Sequence, residues 1–336
     1  MSLFSRMLQA VHSWRRHQGG RKVTKRAAVR IDQLEHRKLL AVNFTGNVIT
    51  DFPATQNPGV VVLSNNPSVT HPVISPTLQP IVKVSGFDVN GIRVSYSASD
   101  DTLSIGIEQP PSQQTGQPGP VIAGDADNNG DSGTVNPAVL AVQPGFQDFA
   151  DMGGSEYLGA FLDLKGTGYA DVVAGYSATD PRTPKEYQVA QAIVNTNLPP
   201  TTPGFGAELP MFEGNVYLVN SPAHPNLEFS ITHFSELYQQ VTGKPLAANS
   251  VFYVGGFGGS ADDTGIGEAF FPEQAVKLSD ATVPTPPTET CAPFIMINPH
   301  EHRIIDTRHR DLVRAYVFGT SGFKVSQIDP QTVSLD

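Results

Sequence analysis

A single cysteine, Cys291, occurs in the 336 residues. No internal disulfide is available, and the apolar stretch around it, CAPFIMI, is the setting of an ordinary buried thiol. Charge is also scarce, at 16% of residues against the usual quarter. Lys and Glu, which favour helices, give way to Val, Thr, Ser, Gly and Pro, so a mainly β protein is expected. There is no run of 18 or more apolar residues, and hence no expected transmembrane helix. Neither G-x-S-x-G nor H-E-x-x-H is present, so nothing local marks a serine hydrolase or a zinc protease.

What charge there is divides sharply. Residues 1–38 carry ten Lys and Arg against two Asp and Glu, while the remaining 298 carry 12 against 30. An acidic body disfavours nucleic acid, which needs cationic surface to displace counterions; it suits solubility and cation binding. The head begins with the short amphipathic pattern Leu3, Phe4, Met7, Leu8, Val11 and continues as a basic run from Arg15 to Arg26. It lacks the uninterrupted apolar core of a secretory signal.

The body reads as strands. Val60–Leu63 is a short buried strand, and Asn65-Asn66-Pro67 a turn. Ile92, Val94 and Tyr96 alternate with polar residues, Ser99-Asp100-Asp101 turns, and Leu103, Ile105 and Ile107 alternate again. That is an antiparallel hairpin with one buried face. Further strands are expected at 187–193, 215–220, 227–231, 251–256, 294–297 and 313–318, and 146–159 reads as a Gly- and acid-rich connection. Together these predict an antiparallel β-sandwich-like body with long Gly/Pro-rich loops, preceded by a disordered or helical basic leader. The expected divisions are a leader at 1–41, the body at 42–282, and, after the Pro/Thr hinge VPTPPTETC, the start of a small β module at 283–336.

The clearest candidate for chemistry is GDADNNGDSGTVNP, residues 124–137. Asp125, Asp127, Asn129 and Asp131 stand at alternate positions, with Gly130 where the chain must turn. Oxygen ligands at positions one, three and five followed by a glycine are what a hard cation such as calcium asks of one loop. The proline-rich segment before it cannot be an entering helix, and position twelve is Asn136 rather than glutamate, so this is not an EF-hand. A loop without a bidentate carboxylate falls short of the 6–8 oxygens calcium prefers. A second acidic, Gly-rich turn, FGGSADDTGIGE at 257–268, offers Asp262, Asp263 and Glu268 to complete the site.

Other constellations are weaker. Gly255 to Ser260 is glycine-rich, but no Lys follows and no helix opens there, against a phosphate loop. His300, His302 and His309 stand among Arg303, Arg308 and Arg310, which would repel a metal. His233, Ser235 and Glu236 are sequence neighbours, which does not make a triad.

Leu34-Glu35-His36-Arg37-Lys38-Leu39-Leu40-Ala41 resembles the L-E-x-R-x-L-L-A/S motif that ends the basic leader of many large secreted planctomycete proteins. The resemblance implies export, with processing near Ala41. VSGFDVNGIRVSYSASDDTLSIGIE resembles a domain of bacterial surface proteins. FLDLKGTGYADVVAG, residues 161–175, resembles the calcium-loop repeats of the FG-GAP type. In it Asp163 and Asp171 hold the first and ninth positions and Gly168 the turn, but Lys165 and Thr167 replace two oxygen ligands, so this loop is expected to have lost its ion and kept its turn through backbone N–H bonds to the aspartates. The tail, with Asn298-Pro299, Val313 to Thr320 and Ile328 to Val333, is similar to a C-terminal module of secreted bacterial proteins, in which the chain would normally continue.

The reading that follows is an exported, non-enzymatic structural or adhesive protein, extracellular or at the cell surface, stabilised by calcium and partnered by cell-envelope or matrix components. The alternative is a secreted carbohydrate-active or hydrolytic enzyme, or a carbohydrate-binding domain, with dispersed site residues.

Overall fold

The computed structural model describes residues 42–54, 59–64, 68–113, 119–177, 186–193, 203–219, 221–260 and 265–284, and the backbone of strands 294–297 and 315–318. The leader, Asp262, Asp263, Cys291 and the His300–Arg310 stretch lie outside the described residues.

The protein is mainly β, built from two antiparallel sheets with a sandwich-like core between them. The first sheet has five strands in the order β1-β2-β3-β9-β8: β1 (Val60–Leu63), β2 (Gly91–Ser97), β3 (Thr102–Glu108), β8 (Glu213–Tyr217) and β9 (Leu227–Ile231). The second has six in the order β11-β10-β4-β5-β6-β7: β4 (Glu156–Asp163), β5 (Val172–Tyr176), β6 (Gln188–Ile193), β7 (Gly204–Glu208), β10 (Val251–Ser260) and β11 (Ala269–Lys277). Strands β12 (Phe294–Ile297) and β13 (Ala315–Phe318) pair with each other.

The expected hairpin is β2 and β3, paired from Gly91↔Glu108 to Ser97↔Thr102. Its alternation does what period-two patterning requires. Ile92, Val94, Leu103, Ile105 and Ile107 are fully buried in the inter-sheet core, joined there by Phe229 and Ile231 of β9, Leu158 and Leu162 of β4, Val172 of β5 and Phe252 of β10. The opposite face of the hairpin carries Arg93, Ser95, Ser97, Ser104 and Gly106. Part of it is covered by the short helix α1 (Val48–Asp51), because the missing side chain of Gly106 leaves room for Val48 and Phe52.

The second sheet departs from the sequence reading. Strand β4 begins at Glu156, inside the stretch read as a connection, and β10 runs on through the glycines to Ser260. The reason is a set of reciprocal cross-strand pairs on the sheet's outer face: Tyr157↔Gly259, Gly159↔Phe257 and Phe161↔Gly255. Each aromatic ring lies over the glycine opposite. A Cβ built on Gly255 would stand 2.2 Å from Phe161 Cζ, and one on Gly259 2.7 Å from the Tyr157 hydroxyl. Glycines that weaken an isolated strand are here the floor beneath stacked rings, with Phe161 and Phe270 5.5 Å apart and Tyr157 and Phe257 6.1 Å apart.

Three further helices are described: α2 (Pro137–Val142), α3 (Phe234–Thr242) and α4 (Leu278–Ala281). His233, at the start of α3, has left-handed φ and makes no capping bond. The cap comes instead from the β2–β3 turn. Asp101 accepts from Ser235 N at 2.9 Å and Ser235 Oγ at 2.7 Å, and its backbone carbonyl accepts from Phe234 N at 3.0 Å.

Candidate metal centre

The 121–136 loop is pinned to the body by its backbone. Ala123 N donates to Pro225 O, Gly124 N to Gly86 O and Gly86 N to Asp125 O. The approach at Gly86 is so close that a Cβ there would lie 2.1 Å from Ile122 O. This fixes the Asp125 backbone in the interior, with its carboxylate turned back along its own loop. Oδ1 accepts from Asn129 N at 3.1 Å and Oδ2 from Gly130 N at 2.8 Å. Gly130 takes the turn with φ 92°, a conformation that glycine adopts without a Cβ clash.

Asp127 follows two residues later. Its Oδ2 accepts from Asn136 N at 2.6 Å. Asn136 in turn caps α2, accepting from Ala138 N at 2.9 Å. The position where an EF-hand would place its glutamate therefore starts a helix.

The third member of the cluster is Asp148, whose Oδ1 accepts from Ala126 N at 3.3 Å. One carboxylate oxygen from each of Asp125, Asp127 and Asp148 lies within 4.8 Å of the others. Asp125 and Asp127 are fully buried and Asp148 is 7% exposed. Asp127 Oδ1 and Asp148 Oδ2 are buried without a hydrogen-bond partner, an arrangement that native proteins usually avoid. Among the described residues no Lys, Arg or His forms an ion pair with any of the three.

The electrostatics follow from this crowding. Burial, reinforced by the Asp127 charge and opposed by the Gly130 N–H, lifts the Asp125 carboxyl to about 6. Burial with the charges of Asp125 and Asp127 lifts Asp148 to about 8. Burial also raises Asp127, against the Asn136 N–H. Without a cation Asp148 keeps its proton at neutral pH; a metal ion satisfies the same carboxylate without it. The buried trio can hold a metal ion. Its donors are all oxygen, the chemistry of hard cations rather than of zinc or copper.

Of the other expected ligands, Asn129, Asp131 and Glu268 are among the described residues, and Asp262 and Asp263 lie outside them. Asn129 is occupied by its own loop: its Oδ1 accepts from Asp131 N at 2.8 Å and its amide donates to Thr134 O. Asp131 is exposed and outside the cluster. Glu268 accepts from the Tyr157 hydroxyl and is not part of the trio. Asp148, which sequence reasoning passed over, carried one signal, an acidic residue two positions after Phe146, which is buried as it is.

In the 163–171 loop the aspartates accept from the loop's own backbone. Asp163 accepts from Gly166 N and Gly168 N, each at 2.7 Å. Asp171 accepts from Leu164 N at 2.9 Å and Lys165 N at 3.1 Å, and the Lys165 ammonium lies 2.5 Å from its other oxygen. Backbone N–H groups and a lysine take up the carboxylates. Elsewhere, Ser235 donates to Asp101 while His233 is exposed, so the sequence neighbours are not arranged as a triad.

Comparison with protein-family models, with curated proteins and with solved structures gives no match.

Proposed function

We propose that this chain is an exported, non-enzymatic structural or adhesive protein of the cell surface or extracellular matrix, with calcium as a staple at Asp125, Asp127 and Asp148. The carrying observation is that two carboxylate oxygens of the buried trio, Asp127 Oδ1 and Asp148 Oδ2, have no protein donor to satisfy them. Three hard oxygen ligands in one place favour calcium, whose remaining positions backbone carbonyls and water fill. The depth of the carboxylates supports a structural role, since a substrate cannot reach groups this enclosed.

The ion would join the 125–127 loop to the stretch around Asp148, about twenty residues further along the chain. An ion that binds only the folded state stabilises it by about 2.7 kcal/mol at a hundredfold excess over Kd. Outside the cell, where calcium is plentiful, such a staple stays loaded. The acidic body and the basic head with its export-type motif support the same setting.

Thermal unfolding of the full chain in EDTA and then in excess CaCl2 tests the staple. A midpoint that rises with calcium, and does not rise with the same concentration of NaCl, is expected. An identical midpoint in EDTA and calcium would remove the proposal's basis.

A further inference from the structure

The outer face of the five-stranded sheet bears a run of small hydroxyl side chains. Ser95, Ser104 and Ser230 stand directly opposite one another on β2, β3 and β9, and Ser97 faces Thr102 in the next pair on the same face. Together with Asn215, the exposed Asp100 and the ring of Phe44 they line a recess of about 190 Å³. Where α1 ends its cover of this face the recess begins, so the fold leaves these groups neither packed under a helix nor spread on an open surface.

The hydrogen bonding inside the recess is lopsided. The Ser95 hydroxyl donates to Gly59 O at 2.9 Å, Ser97 to Asp100 Oδ2 at 2.6 Å and Thr102 to Asp100 O at 2.9 Å. Ser230 Oγ accepts from Asn215 N at 2.9 Å. Donor hydrogens are mostly spent within the protein, whereas oxygen lone pairs remain. Ser104 differs: it is 8% exposed, lies at the centre of the serine row, and its hydroxyl has no partner among the described residues. A hydroxyl in that position wants a ligand that both donates and accepts.

We propose that this recess binds a neutral saccharide, presented as a terminal sugar or as one ring of a polymer. A sugar supplies many O–H donors for an acceptor-rich floor, and its hydroxyls can also accept from Ser104. Phe44 stacks on Phe52 at 6.3 Å and 17°, which commits one ring face. The other face is half-buried at the recess, where the negative π-surface suits the C–H-bearing face of a pyranose. Asp100 repels anionic ligands, and Val42, Phe44 and Val283 give the recess an apolar wall on which the C–H face of a sugar can rest. The volume is below the roughly 300 Å³ of ordinary small-molecule pockets, which limits the buried part to about one ring. This gives the adhesive role proposed above a ligand class, and it does not depend on the calcium staple.

Affinity gel electrophoresis of the full chain in gels containing a panel of neutral polysaccharides (glucans, xylans, mannans and galactans) tests the proposal, with spermine and polygalacturonate as charged comparators. At least one neutral polymer is expected to retard the protein. Phe44→Ala and Asp100→Asn should each weaken that retardation tenfold or more, and Ser104→Ala by a smaller factor. Melting curves on the same samples report folding and the calcium response separately. Absence of retardation by every neutral polymer, binding confined to spermine or polygalacturonate, or full binding in all three folded variants would each overturn the saccharide site and leave the staple standing.

Discussion

Asp148 is the residue on which the metal centre turns. Its carboxyl is raised to about 8, so in the metal-free protein its contribution to stability is complete below the usual carboxylate range near 4 and is lost as pH climbs towards 8. The EDTA-treated protein should melt progressively lower between pH 5 and pH 8, and more steeply than the calcium-loaded protein, which keeps only the part of the decline that belongs to Glu228. Asp148→Asn is expected to make the first curve shallower and remove the second protein's advantage. A pH-dependence unchanged by the substitution would place the strain elsewhere. Asp163 makes the opposite prediction: Asp163→Asn should leave the calcium response intact while costing about 1–3 kcal/mol, because Gly166 N and Gly168 N lose strong acceptors. Two of the cluster's members, Asp125 and Asp127, stood out in the sequence because alternation within one loop is a local property. Asp148 did not, because its role depends on a loop and a distant segment meeting, and no spacing rule carries that.

Among the elements, α3 and α1 show how distant residues hold short pieces in place. Asp101 supplies the cap that His233 does not, so Asp101→Ala should cost about 0.5–2 kcal/mol in chemical denaturation; equal effects of Asp101→Ala and the exposed Asp100→Ala would contradict the capping account. At α1, Glu228 of β9 accepts from Gly46 N at 2.7 Å, while Asp51 takes Thr45 N and Oγ1. Burial, and then a hydrogen bond with the Asp51 carboxyl, raise Glu228 to about 8. The proton that joins the two carboxyls is lost as pH rises through 8, so stability falls from the ordinary glutamate range upward. Glu228→Gln keeps the acceptor and should abolish that part of the decline. The β2–β3 hairpin was legible because its faces alternate cleanly. β4 and the far half of β10 were not, because a glycine reads as a break until the aromatic residue that covers it is known. Gly255→Ala should therefore be more damaging than its size suggests, by about 1–3 kcal/mol, since Phe161 has nowhere to move.

On the scale of the described body, the acidic, cysteine-poor chain folds mainly as two antiparallel sheets around a large apolar core, with a smaller apolar cluster on the second sheet and a buried acidic trio. The composition announced the β class, since Val, Ile, Thr and aromatic residues fit a pleated, half-buried surface. It could not announce which acidic residues would be enclosed. The account requires one cation per chain, taken up by carboxylates that otherwise retain protons. Isothermal titration of the EDTA-stripped full chain with CaCl2 at pH 7.5 measures this directly, with the proton release read by repeating the titration in buffers of different ionisation enthalpy. One bound calcium per chain, with a Kd on the order of 10⁻⁴ M as in extracellular modules, protons released on binding, and loss of binding in Asp148→Asn are predicted. No binding, or binding unaffected by Asp148→Asn, would contradict the account.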